Sequence, residues 1–269
     1  MLLLNGSVWF KVLEVYIMAS LSEIISYTNQ YLNTGRFKDY CPNGLQIEGK
    51  EDVQTIVSGV SASIELFQRA HEREADLILV HHGILWSNQS LVISGSFKKR
   101  IKYLLTHEIS LLAYHLPLDA HEGVGNNAVV AKRLGLKDLE GFANYKGNEI
   151  GYIGHLDEAI SYKDFADRVE SVFQNQLASY PFGKKKIQRV GIVTGGAEEL
   201  IMSAVEKNCD LYITGEVGEP TLHLAKEEEI NFIAAGHYNT EKFGVQALGE
   251  QIAREMKVKH LFIDVPNAV

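Results

Sequence analysis

Five side chains of types that bind transition metals follow predicted strands in this sequence. His81 and His82 come after the apolar run "DLILV", and Asp119 comes after "ISLLAY". His237 and Glu241 follow "INFIAA" and are four residues apart, so a helix would place both on one face. Three imidazoles and two carboxylates suit a divalent transition metal such as Zn, Mn, Fe or Ni. If one carboxylate bridged two ions, the result would be a dinuclear centre that activates water for hydrolysis.

Two further polar side chains lie just beyond the same predicted strands. His115 directly follows "ISLLAY", and Glu216 follows "DLYIT" after one glycine. We therefore expect both near the same edge of the sheet. The other histidines lack such placement, and we expect structural or exposed roles for His71, His107, His121, His155, His223 and His260.

The elements that must position these residues are duplicated along the chain. "VQTIVSGVSASIELFQRAHEREADLILVHHG" from Val53 and "IQRVGIVTGGAEELIMSAVEKNCDLYITGEV" from Ile187 share a pattern of strand, turn, amphipathic helix and strand. The separation of 134 residues between Val53 and Ile187 recurs between Asp76 and Asp210. Alternating strands and helices predict an α/β fold with mainly parallel or mixed sheets. Ligands of such sheets gather at the carboxyl ends of the strands.

Each of these signals has a simpler interpretation when taken alone. An adjacent pair such as His81 and His82 is more often incidental, or hydrogen-bonded at the edge of a core. A spacing such as that of His237 and Glu241 is more often a pair on a helix surface. Their coincidence at strand ends in a duplicated sequence, together with Asp119, favours a shared metal site.

The duplication also predicts the domain organisation. Residues 18–140 would form a first α/β repeat with the HH and HLPLD motifs, and residues 141–269 a second with the TGE and GHxxxE motifs. We expect two intertwined lobes in one compact unit, without an inserted domain. Residues 1–17 are apolar, but they lack the basic start of a signal peptide and are interrupted by Lys11 and Glu14. We interpret them as a disordered extension or as the product of an upstream start codon.

Charge and cysteine usage limit the classes of function. The net charge of −8 over 269 residues argues against nucleic acid as a partner. The two cysteines, Cys41 and Cys209, form no disulfide framework, which predicts a reducing cytoplasmic location. The glycine-rich "VTGGAEE" from Val193 could hold a phosphate at a helix N-terminus, although an ordinary strand-to-helix turn is favoured.

Several stretches together resemble one known family. They are "CPNGLQIEG", "LVHHGILW", "YHLPLDA", "GVGNNAVVAKRLG", "DLYITGE" and "GHYNTEKFG". The chain resembles the Ngg1-interacting-factor-three-like (NIF3-like) family, whose bacterial members are called GTP cyclohydrolase 1 type 2 homologues. The resemblance implies a duplicated α/β fold and a two-metal centre, with Asp119 or Glu241 placed to bridge. The ligands that it implies are His81, His82, Asp119, His237 and Glu241.

The same resemblance implies roles for the two remaining residues and for the assembly. His115 matches the histidine of the HLPLD motif and would act beside the metals or carry a proton, and Glu216 matches an acid near the site. Family members form hexameric rings, so we expect a toroidal homohexamer. We expect a metal-dependent hydrolase with two divalent ions per chain that acts on GTP or another small nucleotide-like substrate, and no membrane partner. The alternative is a metal-binding interaction or regulatory protein without turnover.

Overall fold

The computed structural model describes residues 18–268, so the predicted extension at 1–17 lies outside the described residues. The strands are β1 (Ala19–Ser20), β2 (Gly44–Ile47), β3 (Asp52–Val53), β4 (Thr55–Ser61), β5 (Leu77–His82), β6 (Ser110–Ala113), β7 (Lys137–Tyr145), β8 (Asn148–Ser161), β9 (Ala178–Tyr180), β10 (Lys186–Ile192), β11 (Leu211–Thr214), β12 (Asn231–Ala234) and β13 (Lys259–Phe262). The helices are α1 (Leu21–Tyr31), α2 (Ile64–His71), α3 (Gly95–Thr106), α4 (Leu116–Ala120), α5 (Asn126–Arg133), α6 (Tyr162–Phe173), α7 (Ile201–Glu206), α8 (Glu219–Glu227) and α9 (His237–Met256).

Two sheets carry most of these strands in the described part of the chain. One has the order β13-β4-β5-β6-β2, in which β13, β4, β5 and β6 run parallel and β2 is antiparallel. The other has the order β7-β8-β10-β11-β12-β9, in which β10, β11 and β12 run parallel. Its neighbours β8 and β9 are antiparallel to that central group. The predicted α/β fold with mainly parallel and mixed sheets is confirmed.

The duplication appears in the hydrogen bonds as well as in the strand order. The carboxylate of Asp76 accepts from the backbone N–H groups of Gln54 and Thr55, both at 3.0 Å. Asp210 accepts in the same way from Gln188 and Arg189, both at 2.9 Å. In each half, this aspartate therefore fixes the start of one parallel strand against the next.

Helix-capping signals in the sequence explain where two helices begin. Ser20 caps α1 in a capping box with Glu23, which satisfies backbone N–H groups at both positions. Ser161 accepts from the backbone N–H of Asp164 at the start of α6. Both helices therefore begin directly after a serine whose side chain accepts from the first turn.

Helix α9 and strand β13 join the two halves. Val245, Leu248 and Ile252 of α9 pack in the core under the first sheet, whereas Phe243 packs in the core of the second. Strand β13 follows α9 and pairs with β4 of the first sheet. The lobes are thus intertwined, because the C-terminal end of the chain completes the N-terminal sheet. None of the helices within residues 18–268 is long and apolar enough to cross a membrane.

Candidate metal centre

The carboxyl ends of three parallel strands deliver the side chains of the site. His81 and His82 are the last residues of β5. Strand β6 leads through His115, at the N-terminus of the short helix α4, to Asp119 on that helix. Strand β12 leads to α9, which begins at His237 and carries Glu241 one turn later. The structure therefore brings together all five residues that the sequence singles out.

The first group of potential ligands consists of His81, Asp119 and Glu241. His81 Nε2 lies 3.6 Å from Asp119 Oδ1 and 3.4 Å from Glu241 Oε1. The side chain of His81 is completely buried, and both carboxylates are nearly so. One ion placed among these atoms would be held in the interior of the protein.

The second group consists of His82, His237 and Glu241. Glu241 Oε2 lies 3.2 Å from His82 Nε2 and 3.1 Å from His237 Nε2. The two oxygens of one carboxylate thus face different groups. His81 belongs to the first of these groups and His82 to the second, and their ring centres are 4.6 Å apart.

His115 lies close to both groups, and the carboxylate of Asp39 holds its ring in place. Its Nδ1 is 3.0 Å from Asp39 Oδ1, while the other oxygen of Asp39 accepts from the backbone N–H of Leu116. His115, His81 and His82 also bring nitrogen atoms within 4.8 Å of one another. His115 can therefore act either beside an ion or on it. Burial alone would raise the pKa of Asp39, but the hydrogen bonds from His115, Asn43 and Leu116 outweigh it and hold the pKa at about 2.

Hydrogen bonds from surrounding residues orient the potential ligands. The Nδ1 atom of His81 lies 2.9 Å from the carbonyl oxygen of Tyr114, which leaves Nε2 facing the site. Glu216 orients His237 in the same way, because Oε1 of Glu216 lies 2.5 Å from Nδ1 of His237. Such outer partners fix the ring orientation of a metal-binding histidine and make it more basic. The hydroxyl of Ser61 lies 3.2 Å from Nδ1 of His82, and the amide of Asn126 donates to Asp119 Oδ1 at 2.9 Å.

The charges of this cluster are strongly coupled. Burial favours the neutral form of His81, yet the carboxylates of Asp119 and Glu241 overcome it and raise its pKa to about 9. His237 also reaches about 9, because Glu241 and Glu216 outweigh the effect of burial on its pKa. Burial, together with repulsion from neighbouring histidines, lowers the pKa of His82 to about 3. Despite its burial, Glu241 has a pKa well below its usual range because imidazoles surround it.

The buried atoms of the cluster fit a bound cation. His81 Nε2 and Glu241 Oε2 are buried and have no hydrogen-bond partner. Leaving such atoms unpaired is unfavourable, and a buried ionised carboxylate needs a compensating charge. Imidazole nitrogens and carboxylate oxygens are the ligand types of Zn, Mn, Fe and Ni sites. The donor set and its unpaired atoms are therefore compatible with divalent ions.

Two glycines in and beside the site allow close contacts that a side chain would prevent. A Cβ atom on Gly195 would lie 2.2 Å from Glu241 Oε1, and φ at this residue is +74°. A side chain there would displace the carboxylate that both groups share. Gly83, which directly follows the two histidines, is required by a close contact with a side chain. A Cβ atom there would lie 2.2 Å from the side-chain oxygen of Gln46, which accepts from the backbone N–H of Ile84.

Several residues of the site were not identified from the sequence. Asp39 has no motif that marks it and precedes the stretch "CPNGLQIEG" by two positions. Asn126 lies within "GVGNNAVVAKRLG", a stretch that resembles the family but contains no predicted ligand. Thr194 is buried and lines the cavity beside the cluster. A polar residue within an otherwise apolar strand end is the signal that could have indicated Thr194.

Comparisons with known proteins agree with this architecture. Residues 19–268 match the family model described as Duf34/NIF3 (NGG1p interacting factor 3). A Pseudomonas aeruginosa protein named "GTP cyclohydrolase 1 type 2 homolog" is 45% identical over 250 residues, which cover 92% of this chain and 98% of that protein. The solved structure of the protein ybgI, of unknown function, has a TM-score of 0.89 and 39% identity, covering 93% and 100% of the two chains. A Thermus thermophilus structure has a TM-score of 0.85 and 34% identity with the same coverage.

Proposed function

Because the chain belongs to the Duf34/NIF3 family, we propose that it is a hydrolase that depends on two divalent metal ions. The observation that carries this proposal is the position of Glu241. Its two carboxylate oxygens face separate groups of donors, with His81 and Asp119 on one side and His82 and His237 on the other. A carboxylate in this position can bridge two ions. The identity of the ions, Zn, Mn, Fe or Ni, stays open.

Two adjacent ions would lower the pKa of a bound water and stabilise the negative charge that develops on the substrate. The side chains of this protein would hold the reactants around them. His115 is positioned to carry a proton, because Asp39 holds its Nδ1 and its ring lies beside the positions proposed for the ions. Glu216 would act through His237, whose ring it orients. Five protein ligands shared by two ions would leave coordination positions for water and substrate.

The names of the relatives direct the choice of substrate. The relative from Pseudomonas aeruginosa carries the name "GTP cyclohydrolase 1 type 2 homolog". We therefore propose a small nucleotide-like substrate, with GTP as the first compound to test. In a cyclohydrolase reaction, water would attack C8 of the guanine ring, the ring would open, and further hydrolysis would release formate.

The hydrolase proposal is tested by turnover with purified protein loaded with Zn, Mn, Fe(II) or Ni. We expect one of these metals to support hydrolysis of a nucleotide-like compound, and His82→Ala and Glu241→Ala to abolish it. Formate release from GTP would assign the cyclohydrolase reaction. Absence of formate would exclude that reaction, and absence of any hydrolysis over a panel of nucleotides and phosphoesters would contradict the hydrolase proposal.

A second candidate is a metal-binding interaction or regulatory protein without turnover. The name of the family, NGG1p interacting factor 3, favours it. The two candidates differ in the coordination of the ions, because a catalytic site keeps a position for water whereas a structural site is closed. X-ray absorption spectroscopy of the metal-loaded protein would distinguish them. A full shell of protein ligands at both ions would favour the interaction protein.

The proposed assembly is a ring of six identical chains, and the proposed location is the cytoplasm. Both proposals come from the sequence and from its resemblance to the family. Sedimentation equilibrium tests the assembly directly. We expect a particle six times the mass of the 30.0 kDa chain, and a monomer or dimer at micromolar concentration would contradict the ring.

A further inference from the structure

A cavity of about 360 Å³ opens onto the candidate metal centre. His82, His237 and Glu241 line it on the side of the centre. Its volume lies near the lower end of the roughly 300–1,000 Å³ that is typical of small-molecule sites. A ligand in this cavity would be compact, and its reactive part would lie beside the positions proposed for the ions.

Aromatic rings form one part of the cavity wall. The ring centres of Tyr40 and Trp86 are 5.6 Å apart, with an angle of 33° between their planes. His115 contacts both rings edge-on, at 5.0 Å from Tyr40 and 5.5 Å from Trp86. The indole N–H of Trp86 already donates to the carbonyl oxygen of Gly83, so its contribution to the cavity is the ring itself. A wall of this kind favours planar, aromatic ligands.

The wall also contains a buried hydroxyl without a partner. Thr194 is 6% exposed and lines the cavity, and its Oγ1 atom has no hydrogen-bond partner. Its backbone is fixed, because its N–H donates to Asn127 Oδ1 at 2.7 Å. An unpaired buried hydroxyl is unfavourable, because it has lost its hydrogen bonds to water. A ligand that accepted a hydrogen bond from Thr194 would remove this penalty.

The charges around the cavity disfavour a polyphosphate. Among the residues that line it, all of which lie in the described part of the chain, there is no lysine or arginine. Glu199 lines it, and the turn after Val193 runs into a 3₁₀ helix that begins with Glu198 and Glu199. The ammonium of Lys146 lies 5.5 Å from the ring centre of Tyr40, but Lys146 does not line the cavity. Inside the cavity, a triphosphate would therefore depend mainly on the metal ions for compensation of its charge. The phosphate-binding role considered for "VTGGAEE" has no support from this geometry.

We propose that the cavity binds a compact, uncharged heteroaromatic ring of the nucleobase class. The ring lies against Tyr40 and Trp86, and a ring carbonyl oxygen or nitrogen accepts a hydrogen bond from Thr194 Oγ1. This inference rests on the proposed function for the position of the reacting atom, which lies beside the ions. It goes beyond that function by assigning recognition to the ring rather than to the phosphates of a nucleotide.

Binding is measured through the fluorescence of Trp86. The chain has two tryptophans, so Trp9→Phe leaves Trp86 as the reporter. Guanosine, GTP and inorganic triphosphate are titrated into the zinc-loaded protein, and no turnover is required. We expect saturable quenching by guanosine, with an affinity at least equal to that for GTP, and none by triphosphate. Thr194→Val should weaken guanosine binding about tenfold, whereas Thr194→Ser should restore it.

Matched variants away from the cavity serve as controls. Thr106→Val and Tyr103→Leu should leave guanosine binding unchanged, whereas Tyr40→Leu should weaken it. Absence of saturable quenching by guanosine would overturn the inference. Tighter binding of GTP that is indifferent to Thr194→Val would also overturn it, because recognition would then lie with the phosphates.

The outcomes separate this inference from the proposed function. Guanosine binding that depends on Thr194, without hydrolysis of any compound, would contradict the hydrolase and support the ring site. Hydrolysis of a substrate without a ring, at a rate unaffected by Thr194→Val, would support the hydrolase and overturn the ring site.

Discussion

The two halves of the chain share one scaffold but end their strands with different chemistry. Asp76 and Asp210 make equivalent pairs of hydrogen bonds to the backbone. At the same separation of 134 residues, however, His81 and His82 of the first half correspond to Gly215 and Glu216 of the second. The first half presents two histidines directly from a strand and Asp119 from a short helix, whereas the second presents both of its donors from the first turns of a helix.

This difference explains how one duplicated unit can build an asymmetric site. In the first half, Ser61 contacts the ring of His82, while its counterpart in the second half is Gly195, which leaves space for Glu241. The aspartates that hold the strands, Asp76 and Asp210, are the same in both halves. The residues near the site, such as Ser61 and Gly195, differ. The first half supplies two histidines and Asp119, and the second supplies His237 and Glu241. The shared carboxylate comes from the second half alone.

The largest effect is expected from removal of the shared carboxylate. Glu241→Ala should remove the binding of both ions, with apparent affinity falling by more than about 100-fold, because both groups lose a ligand. His237→Ala should weaken one ion far more than the other. Elemental analysis of protein dialysed against limiting metal measures both. Retention of one tightly bound ion by Glu241→Ala would show that the two groups are independent.

The next effect concerns the turn that passes over this carboxylate. Gly195→Ser introduces the residue of the first half, and it should abolish metal binding at one or both groups because its Cβ would collide with Glu241 Oε1. Gly196→Ala is the matched control, since a Cβ atom there meets its nearest neighbours at 3.4 Å. Metal titration by calorimetry distinguishes them. Equal metal affinities of the two variants would contradict the role of Gly195.

The pH dependence of metal binding should follow the protons of His81 in the first half and His237 in the second. Below pH 9, His237 carries a proton in the metal-free site, whereas His82 is neutral above about pH 3. An ion must displace the proton of His237, and likewise that of His81, so metal affinity should rise between about pH 6 and 9 and level off above. Each displaced proton contributes about a tenfold change per pH unit.

Glu216→Gln sharpens this test. The substitution removes a charge that raises the pKa of His237, so the rise of metal affinity with pH should become shallower. Calorimetric titrations between pH 6 and 9 measure the slope for both proteins. An unchanged slope would mean that Glu216 does not set the proton affinity of His237.

The smallest effect is expected where the halves are alike. Asp76→Ala and Asp210→Ala should each lower the free energy of unfolding by about 1–3 kcal/mol, because each leaves two backbone N–H groups without their acceptor. Both variants should still bind the metal ions. Urea denaturation compares the variants. A much larger loss for one of them would show that the two carboxylates are not equivalent in the fold.

Strand and helix order could be predicted from the sequence because the apolar periodicity is strong and occurs twice. The metal-capable residues could be predicted as well, since parallel strands bring their carboxyl ends to one edge. The antiparallel edge strands β2 and β9 were not predicted, because short strands lack a periodic signal. Strand β13 joins the first sheet through pairing that is remote in sequence.

The supporting residues of the site depend on tertiary contacts that a sequence does not display. Asp39 reaches His115 across 76 positions in the chain, and Asn126 reaches the backbone of Gly244 across 118. Thr194 is notable only because nothing bonds to its hydroxyl. The ligand assignment itself, the hexameric ring and the domain boundary at residue 140 stay predictions.

The most direct test of the central claim is a crystal structure of the metal-loaded protein with anomalous scattering collected at the metal edge. The account predicts two peaks, roughly 3.5–4 Å apart, with the carboxylate of Glu241 between them. One peak should contact His81 and Asp119, and the other His82 and His237. A single peak, or two peaks that do not share Glu241, would contradict the proposal that the second half of the chain joins two ions into one centre.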